Sequence, residues 1–376
     1  MSPPRPGSLR ARPFAAATLA GGFVIALALA GTLDSLERSE YDLLFRLRGA
    51  RAPVAPVVIA AIDEASFEAL GRWPFPRAVH ARAIDRLREA GAAVIAIDIL
   101  FPEPSPPGPE DNDRLLGEAV ARAGNVVLAM AVTQVSDGAF TKIDLNPPVA
   151  AIRAGAAAMA PVNAVVDADG VLRRVSLSAA SGDQPLPNFV VEIHRLTTSA
   201  GIAAAPLPAV DTLLIDFRGG PGAFPRLPYH RIVAGQFERK SVADKVVLVG
   251  VTDPAVSDVF STAIDGRLAM PGVEVQANAL ENLLAGTRIR VLPRPLLIVV
   301  LLLAAMATGG MVAWAHDHAL LVALATVVAL AVADVALFST LRWWPQSGLV
   351  ILALAAACLA AVVADSPGRP RTARKG

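Results

Sequence analysis

Four long apolar blocks constrain this 376-residue chain more than any other feature. A helix needs about 20 consecutive apolar residues to cross the hydrocarbon core of a bilayer. Residues 14–33, 295–314, 319–341 and 349–364 have that character, and with their flanks the last three extend to 293–315, 319–341 and 344–364. The chain is therefore read as four transmembrane α-helices around one long intervening segment. Arg5, Arg10 and Arg12 lie in the basic stretch 1–13 before the first block, and Arg369, Arg371, Arg374 and Lys375 lie in the tail 365–376. Positive flanks mark the cytoplasmic side. Both termini are then cytoplasmic, and residues 34–292 face outward. Arg288, Arg290 and Arg294 sit at the wrong end for this rule, but charges beside a long translocated domain carry less weight. The first block, with its basic lead and Ala28-Leu29-Ala30, also has features of a cleavable signal peptide. Its length and the helical pattern directly after it favour a retained anchor, and either reading exports residues 34–292.

Within the exported segment, residues 34–48 place Leu36, Leu44 and Leu47 at helical spacing among charged residues, a helix rising from the membrane into the domain. Short apolar runs then alternate with amphipathic stretches. Residues 57–62, 94–99, 126–131 and 245–251 read as buried strands, and 77–90, 111–123 and 273–284 as helices closed by Gly91, Gly124 and Gly286. Such alternation implies an α/β domain with a mostly parallel sheet. The stretch 140–245 is rich in Pro, Gly and Ala and shows only two candidate strands, at 170–176 and 213–217. The one cysteine, Cys358, lies in an apolar block, so the outer domain is expected to hold together without disulfides.

In open α/β sheets ligands bind beyond the carboxyl ends of the strands. Asp63, Asp98 and Asp253 fall at or near such ends, and Arg77 follows the rigid turn Trp73-Pro74-Phe75-Pro76. These residues are expected to line one pocket, with Trp73 at its edge and Asp258, Glu274 and Asn278 as further members. Clustered carboxylates favour a cationic or hydroxyl-rich ligand, since a buried acid needs a charge or hydrogen-bond partner. Each also has a structural reading: Asp63 as a helix cap, Asp253 as a turn residue, Trp73 as packing.

Other classes find little support. A net charge of +1 argues against nucleic-acid binding. Neither a glycine-rich phosphate loop nor a nucleophile elbow nor a kinase motif set occurs, so no catalytic residue, cofactor or metal is expected. Of the five histidines, His80, His194 and His230 are scattered, while His316 and His318 share a turn between two apolar blocks, where solvation is the ordinary role. Asp334 lies inside the third apolar block, where an acid is costly; an ion pair with Arg342 is the favoured reading. The pairs Ala17/Gly21, Thr18/Gly22 and Ala305/Gly309 place small residues four apart, the spacing of close helix contact, and suggest a homodimer.

The motifs also resemble a family. Residues 62–66 (Ile-Asp-Glu-Ala-Ser), 71–77 (Gly-Arg-Trp-Pro-Phe-Pro-Arg) and 96–101 (Ala-Ile-Asp-Ile-Leu-Phe) resemble the beginning of CHASE2 domains. Residues 249–253, 257–260 and 271–278 (Pro-Gly-Val-Glu-Val-Gln-Ala-Asn) resemble their end, and 40–49 their membrane-proximal opening. The resemblance implies an extracytoplasmic sensor of a bacterial signalling protein in the inner membrane, a setting that suits the Ala-, Pro- and Arg-rich composition. Family members usually carry a cyclase or kinase after the last helix. Here only a short basic tail follows residue 364, so the resemblance implies signalling through a partner. The alternative is the sensor portion of a receptor-type cyclase or kinase.

Overall fold

The computed structural model describes residues 6–107, 111–136, 141–162, 164–179, 185–264, 269–314 and 319–365. The chain divides into two compact units, Gly49–Ile289 on one hand and Met1–Arg48 with Arg290–Gly376 on the other.

The first unit is built on a mixed seven-stranded sheet. At its centre β1 (Val57–Ile62) lies beside β12 (Val246–Val251), and β12 beside β2 (Val94–Ile97). β3 (Val126–Ser136) follows, with β11 (Arg226–Pro228) on the far side of β1. Each of these neighbours runs parallel, as does β5 (Ala158–Pro161) against β3, whereas β4 (Thr141–Asn146) is antiparallel to β3. All six residues of β1 and the first five of β12 are buried. Continuous apolar runs of this kind are what a sheet covered on both faces requires.

On one face, Val58, Ala60, Ile62, Ile95, Ile97, Val247 and Val249 form a single core with α4 (Arg77–Glu89), α5 (Asn112–Ala123) and α8 (Tyr229–Val233). α3 (Glu64–Leu70) joins this side through Phe67 and Leu70, and the one-turn α6 (Ala150–Arg153) through Ile152. The opposite face carries α7 (Phe189–Ser199) and α9 (Gly272–Ala285). α9 approaches β12 so closely that a Cβ on Gly250 would lie 2.6 Å from the Cβ of Val273. The short strands β6 (Val171–Leu172), β7 (Arg174–Ser176), β8 (Ser178–Ala179), β9 (Leu186–Pro187) and β10 (Thr212–Leu214) form small side sheets. β13 (Val259–Thr262) joins β14 (Met270–Pro271) and β6 in another.

α9 is buried from Val273 to Leu284, including its Glu, Gln and Asn side chains. Buried polar groups must find partners, and here most of these side chains bond backbone that has left the sheet. Glu274 accepts from the amides of Gly222 and Ala223 at 2.7 and 3.0 Å and from the Arg226 guanidinium at 2.5 Å. Asn278 accepts from the Arg218 amide at 2.8 Å. Glu281 accepts from the amides of Val54 and Ala55, each at 2.8 Å, and pairs with Arg218 at 3.0 Å. Asn282 bonds both the amide and the carbonyl of Asp216, at 2.7 and 3.1 Å.

In the second unit α1 (Pro6–Leu29) bends by 85° into α2 (Asp34–Arg48). α10 (Arg294–Trp314), α11 (Ala319–Leu341) and α12 (Ser347–Asp365) complete it. By length and composition α10, α11 and α12 are each apolar enough to cross a membrane, and the bent pair makes a fourth candidate. The helix expected at 34–48 forms, grouped with the apolar helices of this unit. Its buried face is Tyr41, Leu44 and Phe45, while Leu36 and Leu47 of the leucine stripe are exposed. Tyr41 packs on Phe338 and Trp344 with ring centroids 5.9 and 4.9 Å apart, so aromatic packing joins Leu44 in fixing α2.

A further expectation changes here. Asp334 meets Glu40 and Ser347 instead of Arg342. Glu40 in turn accepts from the Gly348 amide at 2.7 Å and the Trp344 indole at 3.3 Å. Two of the three small-residue pairs are consumed within the chain: a Cβ on Gly21 would lie 2.3 Å from the Cβ of Ala305, and one on Gly309 2.9 Å from that of Ala17. Their close approach joins α1 to α10, while nothing lies within 4 Å of a Cβ placed on Gly22. Adjacent glycines should therefore behave oppositely. In detergent melts of the full chain, Gly21→Leu should destabilise by about 1–3 kcal/mol through overpacking, whereas Gly22→Leu should be neutral. Equal losses at both positions would refute the α1–α10 contact.

Candidate functional site

The parallel order of β1, β12 and β2 brings their carboxyl ends to one edge of the sheet. Beyond that edge opens a cleft of about 1200 Å³. Its walls come from the turn at 73–77, the loop at 98–107, the segment 256–260 and the first turns of α9. Ile95 and Ile97 point into the core beneath α4, so alternation along β2 turns the next residue, Asp98, toward the α9 side. Its amide bonds the Val249 carbonyl at 2.8 Å, which fixes the carboxylate at the floor of the cleft.

Of the residues proposed from sequence, Trp73, Arg77, Asp98 and Asp258 line the cleft. The remaining four do not. Asp63 caps α3, accepting from the Ser66 amide at 3.0 Å and its hydroxyl at 2.6 Å. Asp253 closes a turn onto the Ala255 amide at 2.8 Å. Glu274 and Asn278 hold the backbone described above. The single pocket joining Asp63, Asp98 and Asp253 is thus not formed: all three sit at one sheet edge, but local backbone donors claim two of the carboxylates.

Arg77 is a wall rather than a free cation. Its guanidinium pairs with Asp113, donates to the Glu103 carbonyl and lies over the Phe101 ring, 5.4 Å from the centroid. Asp113 also accepts from the Ser105 amide at 3.0 Å. Together they pin the proline-rich loop against α4 and α5. Behind it, Trp73 meets Phe75 edge-on at 5.3 Å, and His80 lies 2.7 Å from the Tyr229 hydroxyl. Burial, then the Arg77 charge, lowers His80 to about 4, so the ring is neutral at physiological pH. Burial raises Tyr229.

Asp98 is different. No cation or donor partners its carboxylate among the described residues. Burial, with a further push from the charge of Asp258, raises it to about 7. Nearby, Gln276 donates to the Val162 carbonyl at 3.4 Å, but its Oε1 is buried without a partner, as is the Ser257 hydroxyl. Gln276, Ser257 and Asp113 were not singled out from sequence. Gln276 lies inside the 271–278 motif, where its neighbours Glu274 and Asn278 drew attention instead. Among the described residues no three His, Cys, Asp or Glu side chains converge as a metal site.

The chain thus combines an α/β unit that bears an open cleft with candidate membrane-spanning helices. The CHASE2 domain family matches residues 19–311, and the chain belongs to that family. CHASE2 domains are the sensory, non-catalytic domains of receptors. No characterised protein and no solved structure matches the chain.

Asp98 carries a stability signature. Its folded value lies above the ordinary carboxylate value, so the folded state holds a proton that the unfolded state releases. Stability from this group is present at low pH and is lost as pH rises from about 4 to about 7. Asp98→Asn removes the loss. Between pH 4 and pH 8 the stability difference should swing toward the variant by about 1–3 kcal/mol, discounted for the side chain's partial exposure. Melts that show parallel pH profiles for the two proteins would contradict this.

Proposed function

We propose that the chain is a receptor whose outer domain binds a small extracytoplasmic ligand in the cleft above Asp98 and reports it through a partner protein. The observation that carries this reading is an unpaired, half-buried carboxylate at the floor of a large cleft in a domain of a sensory family. Perturbed, unpartnered acids concentrate at functional sites because a purely structural acid is normally satisfied by its surroundings. The cleft also lies where α/β sheets bind ligands, outside the carboxyl ends of their strands. Asp98 and Asp258 are the proposed contact residues, with Trp73 and Arg77 shaping the rim.

The proposed setting is a bacterial inner membrane, with α1, α10, α11 and α12 crossing it, both termini cytoplasmic and Gly49–Ile289 outside. The arginine flanks support it. Cysteines replacing Glu68 and Ser366, in a Cys358→Ser background, test the orientation with a membrane-impermeant thiol reagent on spheroplasts. Labelling is expected at position 68 only, and labelling at 366 alone overturns the topology.

The cleft is tested by filling it. Ala164 is exposed at the cleft wall, so Ala164→Trp occupies space without disturbing the core. Mass spectrometry of small molecules released from the purified full chain should show a species in the wild type that the variant lacks, at matched melting temperature. Identical extracts from both proteins would remove the cleft as the site.

A further inference from the structure

Resting on that reading of the cleft, the geometry points to a ligand class: an organic ammonium, an amine with an apolar body, its cationic head held between Asp98 and Asp258 and its donors directed at Gln276 Oε1 and Ser257 Oγ. The charged lining of the cleft is mostly acidic. Asp98, Asp258 and Glu103 line it as carboxylates. Among the described residues the one lining guanidinium, Arg77, is already committed to Asp113 and the Glu103 carbonyl. Gln276, a lining residue only 5% exposed, donates its amide nitrogen to the Val162 carbonyl, and its Oε1 is buried without a partner. An unpartnered buried acceptor is costly, and a ligand that brings N–H groups and a positive charge complements both Gln276 and the half-buried Asp98 beside the exposed Asp258.

The rest of the lining selects against a bare ion. Val251, Val273, Val275, Phe260 and Ile99 present apolar surface around the acid pair. A volume of about 1200 Å³ is far larger than a hydrated cation needs and is of the order of sites that enclose drug-sized molecules. An anion would meet three lining carboxylates and, among the described residues, no lining cation beyond the committed Arg77. A neutral polyol would satisfy hydrogen bonds but leave the carboxylate charges uncompensated. An aliphatic or aryl amine places its charge at the floor and its body against the valines and Phe260.

The test uses the full chain in lipid nanodiscs and matched probes: phenethylamine, tryptamine and spermidine; the neutral 2-phenylethanol and indole-3-ethanol; and the anionic 3-phenylpropionate. Binding is read by calorimetry and thermal shift at pH 8. At least one amine should bind, with its neutral isostere at least about 10-fold weaker and the carboxylate undetectable. Asp98→Asn and Asp258→Asn should each weaken the amine by about 10- to 100-fold while the fold persists, and Ala164→Trp should abolish binding. Neutral or anionic probes that bind as well as amines, with Asp98→Asn unchanged, would overturn the ligand class and leave the cleft standing as a site. Calcium or magnesium stabilising the wild type but not Asp98→Asn, with amines inert, would replace the ammonium by a metal. If no probe or ion binds the wild type, the ammonium assignment fails. If Ala164→Trp also leaves the released small molecules unchanged, the cleft itself fails.

Discussion

The buried polar face of α9 is the constraint on which the α/β unit rests. A helix packed on a parallel sheet ordinarily presents apolar residues to it, and Val273, Ala277 and Leu280 do so. The same helix also buries Glu274, Asn278, Glu281 and Asn282, whose acceptors take the backbone amides of residues 54–55, 216, 218 and 222–223. Those segments have left the ladder and would otherwise carry unsatisfied donors into the interior, each costing about 1–3 kcal/mol. The side chains of one helix thus replace a missing strand. Removing one carboxylate there strands several donors and the guanidinium of Arg218 or Arg226, the kind of loss that costs about 3–5 kcal/mol.

That arrangement positions the cleft. The backbone anchored by Glu274, Asn278, Glu281 and Asn282 fixes the seat of α9, and Gly250 lets the helix settle against β12 at van der Waals limits. The first turns of α9 then stand beside the carboxyl end of β2, and Gln276 and Val273 become wall residues of the space above Asp98. Opposite them, Arg77 and Asp113 tie a loop too rich in proline to form a ladder of its own. Scaffold and cleft therefore share one helix, with structural polar residues facing one direction and Gln276 facing another.

Much of this was legible in sequence, for physical reasons specific to each element. The runs at 57–62, 94–97 and 246–251 are continuous and apolar because both sheet faces are covered, and they were found nearly to the residue. α5 and α9 end at Gly124 and Gly286, whose φ values of 68° and 64° suit glycine. The weak stretch was 140–245, where β5, β11 and α8 are four, three and five residues long and get their order from tertiary contacts, not from periodicity. The candidate site was half legible. Strand ends marked Asp63, Asp98 and Asp253 alike, because sequence shows where a carboxylate sits and not which donors reach it. Small-residue spacing likewise marks close helix approach but not the partner, which for Gly21 and Gly309 is the facing helix of the pair α1 and α10.

What separates Asp98 from Asp63, Asp253 and Glu281 is therefore the set of partners each carboxylate meets. Asp63 has a helix amide and a hydroxyl, Asp253 a turn amide, Glu281 two amides and an arginine. Each of those acids makes the fold more stable than its absence would. Asp98 shares the same sheet edge, receives no donor among the described residues, and is pushed toward its neutral form by its surroundings and by Asp258. As a structural residue it lowers stability at neutral pH, and asparagine or leucine would serve the scaffold better. A residue that costs the fold and lacks an internal partner is where a binding role is best sought. That ground favours Asp98 over Asp63, although the two looked equally suitable in the sequence.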